Sequence, residues 1–229
     1  LVSGVRSGLH QMSARSTGAI DHTEQDAPMQ LVLIGIAIFV VPIFFLYSNI
    51  HDSLGIGISL PMTIVMVVAG FLFSSVAAYM AGLVGSSNNP ISGITIATIL
   101  FSALLLLWLM GSGEEQSHVG PPAAILIGAV VCCAAAIAGD NMQDLKAGHL
   151  LGATPWKQQV MQGVGVVSAV LVMAPILNLL LQAYGIGVPT EERPNPLLAP
   201  QATLMASVAQ GVFGAGLPWR MVAIGAVIG

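Results

Sequence analysis

The sequence predicts an all-α, polytopic transmembrane helix bundle with interrupted helices, and three observations carry that prediction. Apolar residues make up 55% of the chain and charged residues 7%, where a soluble domain carries roughly a quarter charged. So few charges cannot keep the surface of a 229-residue protein hydrated. Five charge-free runs each approach the ~20 residues that a helix needs to cross a bilayer. Prolines and glycines fall within and between those runs, where they interrupt or kink helices.

Taken in order, residues 29–49 form the first span, with Pro42 as a kink and His51 and Asp52 as its polar exit. Residues 59–84 form the second, entered through Pro61 near the first turn, where proline is tolerated. The third, residues 91–110, is most apolar at Leu104–Leu107. Residues 121–138 form the fourth, again opened by prolines, and residues 160–184 the fifth, with Pro175 as a kink. Residues 204–216 make a short span rich in Gly and Ala, and residues 221–229 open a span that is truncated. The transmembrane region is thus residues 29–229, preceded by residues 1–28 as a polar N-terminal segment or cytoplasmic loop. That opening stretch has no long apolar centre and is not a signal peptide. A start at Leu1 and a stop inside an apolar run lead to the expectation of an internal fragment of a larger protein.

Orientation follows from six Lys and Arg residues. With a cytoplasmic N-terminus, Arg6, Arg15, Lys146 and Lys157 lie inside and Arg193 outside. The outer loop 111–120 holds Glu114 and Glu115 but no Lys or Arg, as the positive-inside rule requires. Arg220 is inside only if residues 204–216 cross the membrane, and the charge rule favours crossing over a re-entrant hairpin.

Several function classes find no support. No basic stripe exists for nucleic acid. Cys132 and Cys133 are adjacent in an apolar run and read as small buried residues packing between helices. His10, His22, His118 and His149 show no metal-ligand spacing, and no CxxC, Walker or nucleophile-elbow motif occurs. The expectation is therefore neither an enzyme nor a holder of metal or cofactor, with the lipid bilayer as the certain partner.

A chain with so few ionisable groups must do its chemistry with backbone, amides and helix ends. Residues 82–93, GLVGSSNNPISG, separate two strongly apolar runs by a few residues. Gly85 relaxes the backbone and Pro90 removes a donor, so a continuous helix does not run through. Ser86, Ser87, Asn88 and Asn89 can satisfy the freed groups or present oxygens and amides to a solute, as broken helices do in transporters. The same residues also suit a tight cytoplasmic turn. Ala81 and Gly85, four apart, would allow close helix packing. The second constellation is a loop at residues 139–159, holding Asp140, Asp144, Lys146, His149 and Lys157. On a helix Asp140 and Asp144 would share a face, where an acid at a span end could carry a proton or face a cation. The alternative is a solvated loop whose acids pair with Lys146.

Residues 81–96, AGLVGSSNNPISGITI, resemble a signature stretch of the oligopeptide transporter family, in the branch that includes the yellow-stripe-like metal-chelate carriers. Residues 139–150, GDNMQDLKAGHL, are similar to that branch's Asp-x-Met-Gln-Asp-Phe-Lys-Thr-Gly-Tyr-Leu pattern, departing at Leu145, Ala147 and His149. Residues 198–219 resemble a later segment of bacterial members. The resemblance implies proton-driven secondary transport of oligopeptides or related chelates, more spans than five, and a bacterial inner membrane. It also tilts Ser86, Ser87, Asn88, Asn89 and Pro90 towards the solute pathway, while Asp140 and Asp144 stay the candidates for proton coupling on their own chemistry, since the resemblance does not show which residue takes the proton. A rival is the permease subunit of an ABC importer, because KAGHLLGATPW, residues 146–156, is partly similar to that family's docking loop.

Overall fold

The computed structural model describes residues 21–50, 55–111, 113–191, 193–214 and 216–228. Arg6, Arg15, His10, His51 and Asp52 lie outside the described residues. The order is α1 (Met29–Ser48), α2 (Ile56–Val84), α3 (Ile91–Met110), α4 (Glu114–Leu150), α5 (Pro155–Ala183), α6 (Pro200–Phe213) and α7 (Trp219–Ile228), with short 3-10 turns at His22–Glu24 and Ser86–Asn88. The described residues form an all-α bundle in which five helices are long and apolar enough to cross a membrane.

α4 is the central helix, packing against α2, α3 and α6. Helices in lipid have no hydrophobic drive toward one another, so they associate where small residues let backbones approach. The buried set follows that rule: Ala77 and Ala81 on α2, Ala103 on α3, and Ala123, Ala124 and Ala135 on α4. A Cβ on Gly128 would collide with Ile99 of α3, and one on Gly120 with the ring of Phe213. The small-residue pair on α2 is therefore Ala77 and Ala81, while Gly85 ends the helix with φ +82°. Three buried threonine hydroxyls turn back on their own helices, Thr63, Thr95 and Thr98 each donating to the carbonyl four residues earlier at 2.8 Å, while those of Tyr47 and Ser102 find no partner among the described residues. Such bonds keep polar groups satisfied where no water reaches.

α4 is longer than its sequence suggests. It runs 37 residues, about 55 Å at 1.5 Å per residue, beyond the ~30 Å of hydrocarbon. The supposed outer loop is helical from Glu114, so Pro121 and Pro122 lie inside the helix rather than opening it. At the other end, the segment 139–159 is not a loop. Met142, Gln143, Leu145, Lys146 and Ala147 are good helix formers with no proline among them, and the helix continues to Leu150. It stops at Gly152, φ +74°, where Gly152 N–H donates to His149 O at 3.1 Å and Ala153 N–H to Gly148 O at 2.8 Å. Pro155 then opens α5 in its first turn. Cys132 is half-buried but Cys133 is exposed, so only the first can pack between helices.

Hydrogen bonds gather one end of the bundle. Trp156 N–H donates to Gln25 O at 3.0 Å and Ala27 N–H to Gln159 Oε1 at 3.1 Å. Ser86 Oγ donates to Gln143 Oε1 at 2.9 Å. The approach to α1, the α2–α3 turn and the α4–α5 hairpin therefore share this end, which also carries Lys146 and Lys157. α6 packs against α3 and α4. Phe213 covers Gly120, and Thr203 Oγ1 lies 4.0 Å from where a Cβ on Gly187 would be. At 14 residues α6 is about 21 Å long, short of a crossing. α5 leaves the bundle almost at once: Val160, Leu171 and Leu179 are 53%, 71% and 65% exposed. Apolar surface of that extent marks contact with lipid or further protein.

Candidate functional site

The candidate site forms where the α2–α3 turn meets the long end of α4. Gly85 reverses the chain after α2, and Asn88 Nδ2 caps Val84 O at 3.2 Å. The turn is compact: Asn89 N–H donates to Ser86 O at 3.2 Å, and Ile91 N–H to Asn89 O at 2.8 Å across Pro90. Pro90, with φ −77° and ψ 52°, is the centre of an inverse γ-turn that starts α3. In local form this is a tight turn rather than an unwound span.

Its reach makes it more than a connector. Asn89 Nδ2 donates to Ala77 O at 2.9 Å, seven residues before the end of α2. At 1.5 Å per residue the turn folds back about 10 Å along α2. Gly139 of α4 makes room, since a Cβ there would lie 2.7 Å from Asn89 Nδ2. Asn89 Oδ1 is buried and has no hydrogen-bond partner among the described residues. An unpaired buried amide oxygen costs about 1–3 kcal/mol, so this acceptor is disposed to take a donor. Ser86 is tied to Gln143, whereas Ser87 and Asn88 are exposed.

Asp140 and Asp144 stand on α4 itself, four residues apart, and both are exposed. Asp144 does not pair with Lys146. Its carboxylate accepts from Gln162 Nε2 of α5 at 3.2 Å, and its carbonyl from Gln158 Nε2 at 3.4 Å. Among the described residues the ion pair found is His22 with Asp21 at 2.8 Å. Asp144 therefore bridges the α4–α5 hairpin, and the Ser86–Gln143 bond lies one residue away on the same helix. The structure thus brings the two sequence candidates together within two turns of α4. Gly139, Gln143 and Gln162 were not singled out from sequence. The only cue was a glycine and two glutamines near span ends, a pattern too common to mark a contact between helices distant in sequence.

Beyond this contact, α4 continues past the end of α2 to Leu150, and an open groove of about 590 Å3 lies where the two helices meet. It is lined by Ala81 and Gly82 on one side and by Met142, Gln143, Lys146, Ala147 and Leu150 on the other.

Comparison with known proteins agrees with this architecture. The family model described as OPT oligopeptide transporter protein matches residues 4–229. A Haemophilus influenzae protein named "Putative oligopeptide transporter" is 35% identical over 210 residues, covering 87% of this chain and 33% of the relative. A Saccharomyces cerevisiae protein of like name is 28% identical over 187 residues, covering 71% of this chain and 25% of the relative. The chain thus spans a third or less of the length of these relatives. No solved structure matches it significantly.

Proposed function

This chain belongs to the oligopeptide transporter family, and on that premise we propose that it forms part of a proton-coupled secondary transporter for oligopeptides or related peptide chelates. The observation that carries the proposal is the α2–α3 turn, drawn back against α2 and seated on Gly139 of α4. Ser86, Ser87, Asn88, Asn89 and Pro90 are its solute-facing residues, with the unpaired Asn89 Oδ1 as an acceptor for a peptide N–H. What supports this reading is the buried, unpaired amide oxygen at the meeting of two helix ends, which is disposed to take a donor. The membrane is the bacterial inner membrane. The family match takes in residues 146–156, the run that suggested an ABC importer, so that alternative is set aside.

Asp140 and Asp144 are the proposed proton carriers. A charged Asp144 accepts from Gln162; a protonated one can donate instead, which changes the tie between α4 and α5 beside the turn. Full-length protein in proteoliposomes should accumulate labelled peptide under an inward proton gradient without ATP, and a protonophore should abolish accumulation. A requirement for ATP would remove the carrier assignment; uptake indifferent to the protonophore would remove proton coupling. Asp144→Asn and Asp140→Asn are expected to flatten the dependence of uptake on external pH. A profile superimposable on wild type would return both acids to a solvated helix end.

A further inference from the structure

We infer that the groove where α4 continues past the end of α2 binds the C-terminal carboxylate of the peptide, held by Lys146 Nζ and Gln143 Nε2. This rests on the peptide-transport reading above and extends it to one end of the solute. Gln143 Oε1 is already occupied by the Ser86 hydroxyl, so its remaining polar group is an NH2 that finds no acceptor among the described residues. Lys146 has no carboxylate within 4.0 Å among them either, because Asp144 is engaged with Gln162. Ala81, Gly82, Met142, Ala147 and Leu150 supply the apolar walls, whose one side-chain acceptor is the weak thioether of Met142. A groove whose free polar groups are all donors, one of them cationic, selects an acceptor-only anion.

Helix C-termini ordinarily repel anions, and both α2 and α4 end here. Several of their last carbonyls are occupied, however, which weakens that repulsion. Ala81 O accepts from Gly85 N–H at 3.0 Å and Val84 O from Asn88 Nδ2. On α4, Ala147, Gly148 and His149 accept from Leu151, Ala153 and Gly152. The volume of about 590 Å3 suits the end of a peptide. Ser86, bonded to Gln143, sits in the turn that also holds Asn89, so the groove continues the proposed solute site rather than forming a separate one.

The test compares a tripeptide bearing a free C-terminus with its C-terminal amide, in proteoliposomes containing the full-length protein. Wild type is expected to show a KM about tenfold lower for the free acid, the scale of one charge-assisted hydrogen bond. Lys146→Met should abolish that difference, and Lys146→Arg should restore most of it. A difference that survives in Lys146→Met overturns the subsite while leaving peptide transport intact. Uptake of neither peptide by wild type overturns the transport reading and this inference with it. The measurement is repeated in vesicles of phosphatidylcholine alone and with phosphatidylglycerol. An effect of Lys146 confined to the anionic vesicles assigns it to lipid headgroups and overturns the peptide assignment.

Discussion

Gly139→Ala is expected to lower peptide uptake about tenfold, the effect of ~1.4 kcal/mol, while leaving the protein folded and in the membrane. Alanine is the better helix former by roughly 1 kcal/mol, so α4 itself gains from the change. The added Cβ would lie 2.7 Å from Asn89 Nδ2, closer than such atoms pack, so the amide must shift from its place against Ala77 O, which strains or breaks that bond. The hold of the turn against α2 then weakens, and Asn89 Oδ1 loses its position. Asn89→Ala should produce a loss of similar size by removing the same bond. The double variant should be little worse than either single one, because contacting residues share one interaction energy. Initial uptake rates, with monodispersity in detergent as the folding control, decide this. Full activity in Asn89→Ala would deny the turn its role in the pathway.

Gly128→Val should destabilise the bundle by about 1–3 kcal/mol, the range for overpacking a filled core. Ile99, 1% exposed, occupies the space that a side chain at Gly128 would need, and it belongs to α3 while Gly128 belongs to the central α4. The added atoms would push the two helices apart along an interface that small residues keep close. Ile99→Ala alone should cost about 2–5 kcal/mol by leaving a cavity. In the Gly128→Val background the same change should restore stability, since it vacates the contested space. Thermal unfolding in detergent measures both. A second substitution that adds to the first would mean that the two residues do not compete.

Much of the fold was legible because lipid imposes a simple rule on sequence. A crossing helix must be long, apolar and free of charge, and residues 29–49, 59–84 and 91–110 satisfy that rule locally. The helical cores of all five long helices follow from it. Their ends do not, because past the hydrocarbon the rule lapses. There helix propensity and capping decide, which is why α4 continues through Asp140 and Asp144 to the Gly152 cap. Residues 204–216 show the same limit, since charge counting favoured a crossing while the helix formed there, Pro200–Phe213, is only 14 residues long.

The sequence by itself determined an all-α membrane bundle, the break at Gly85–Pro90 and the nearness of two acids on any helix that held them. Each of these depends on residues a few positions apart, where backbone sterics and periodicity act. Only the tertiary structure decided that Asn89 reaches back to Ala77, that Gly139 makes the space, and that Gln143 joins the turn to the helix bearing Asp140 and Asp144. Those pairings join segments about 50–60 residues apart for the α2–α3 turn with α4. They depend on which faces of packed helices meet, a relation that no local pattern of residues encodes.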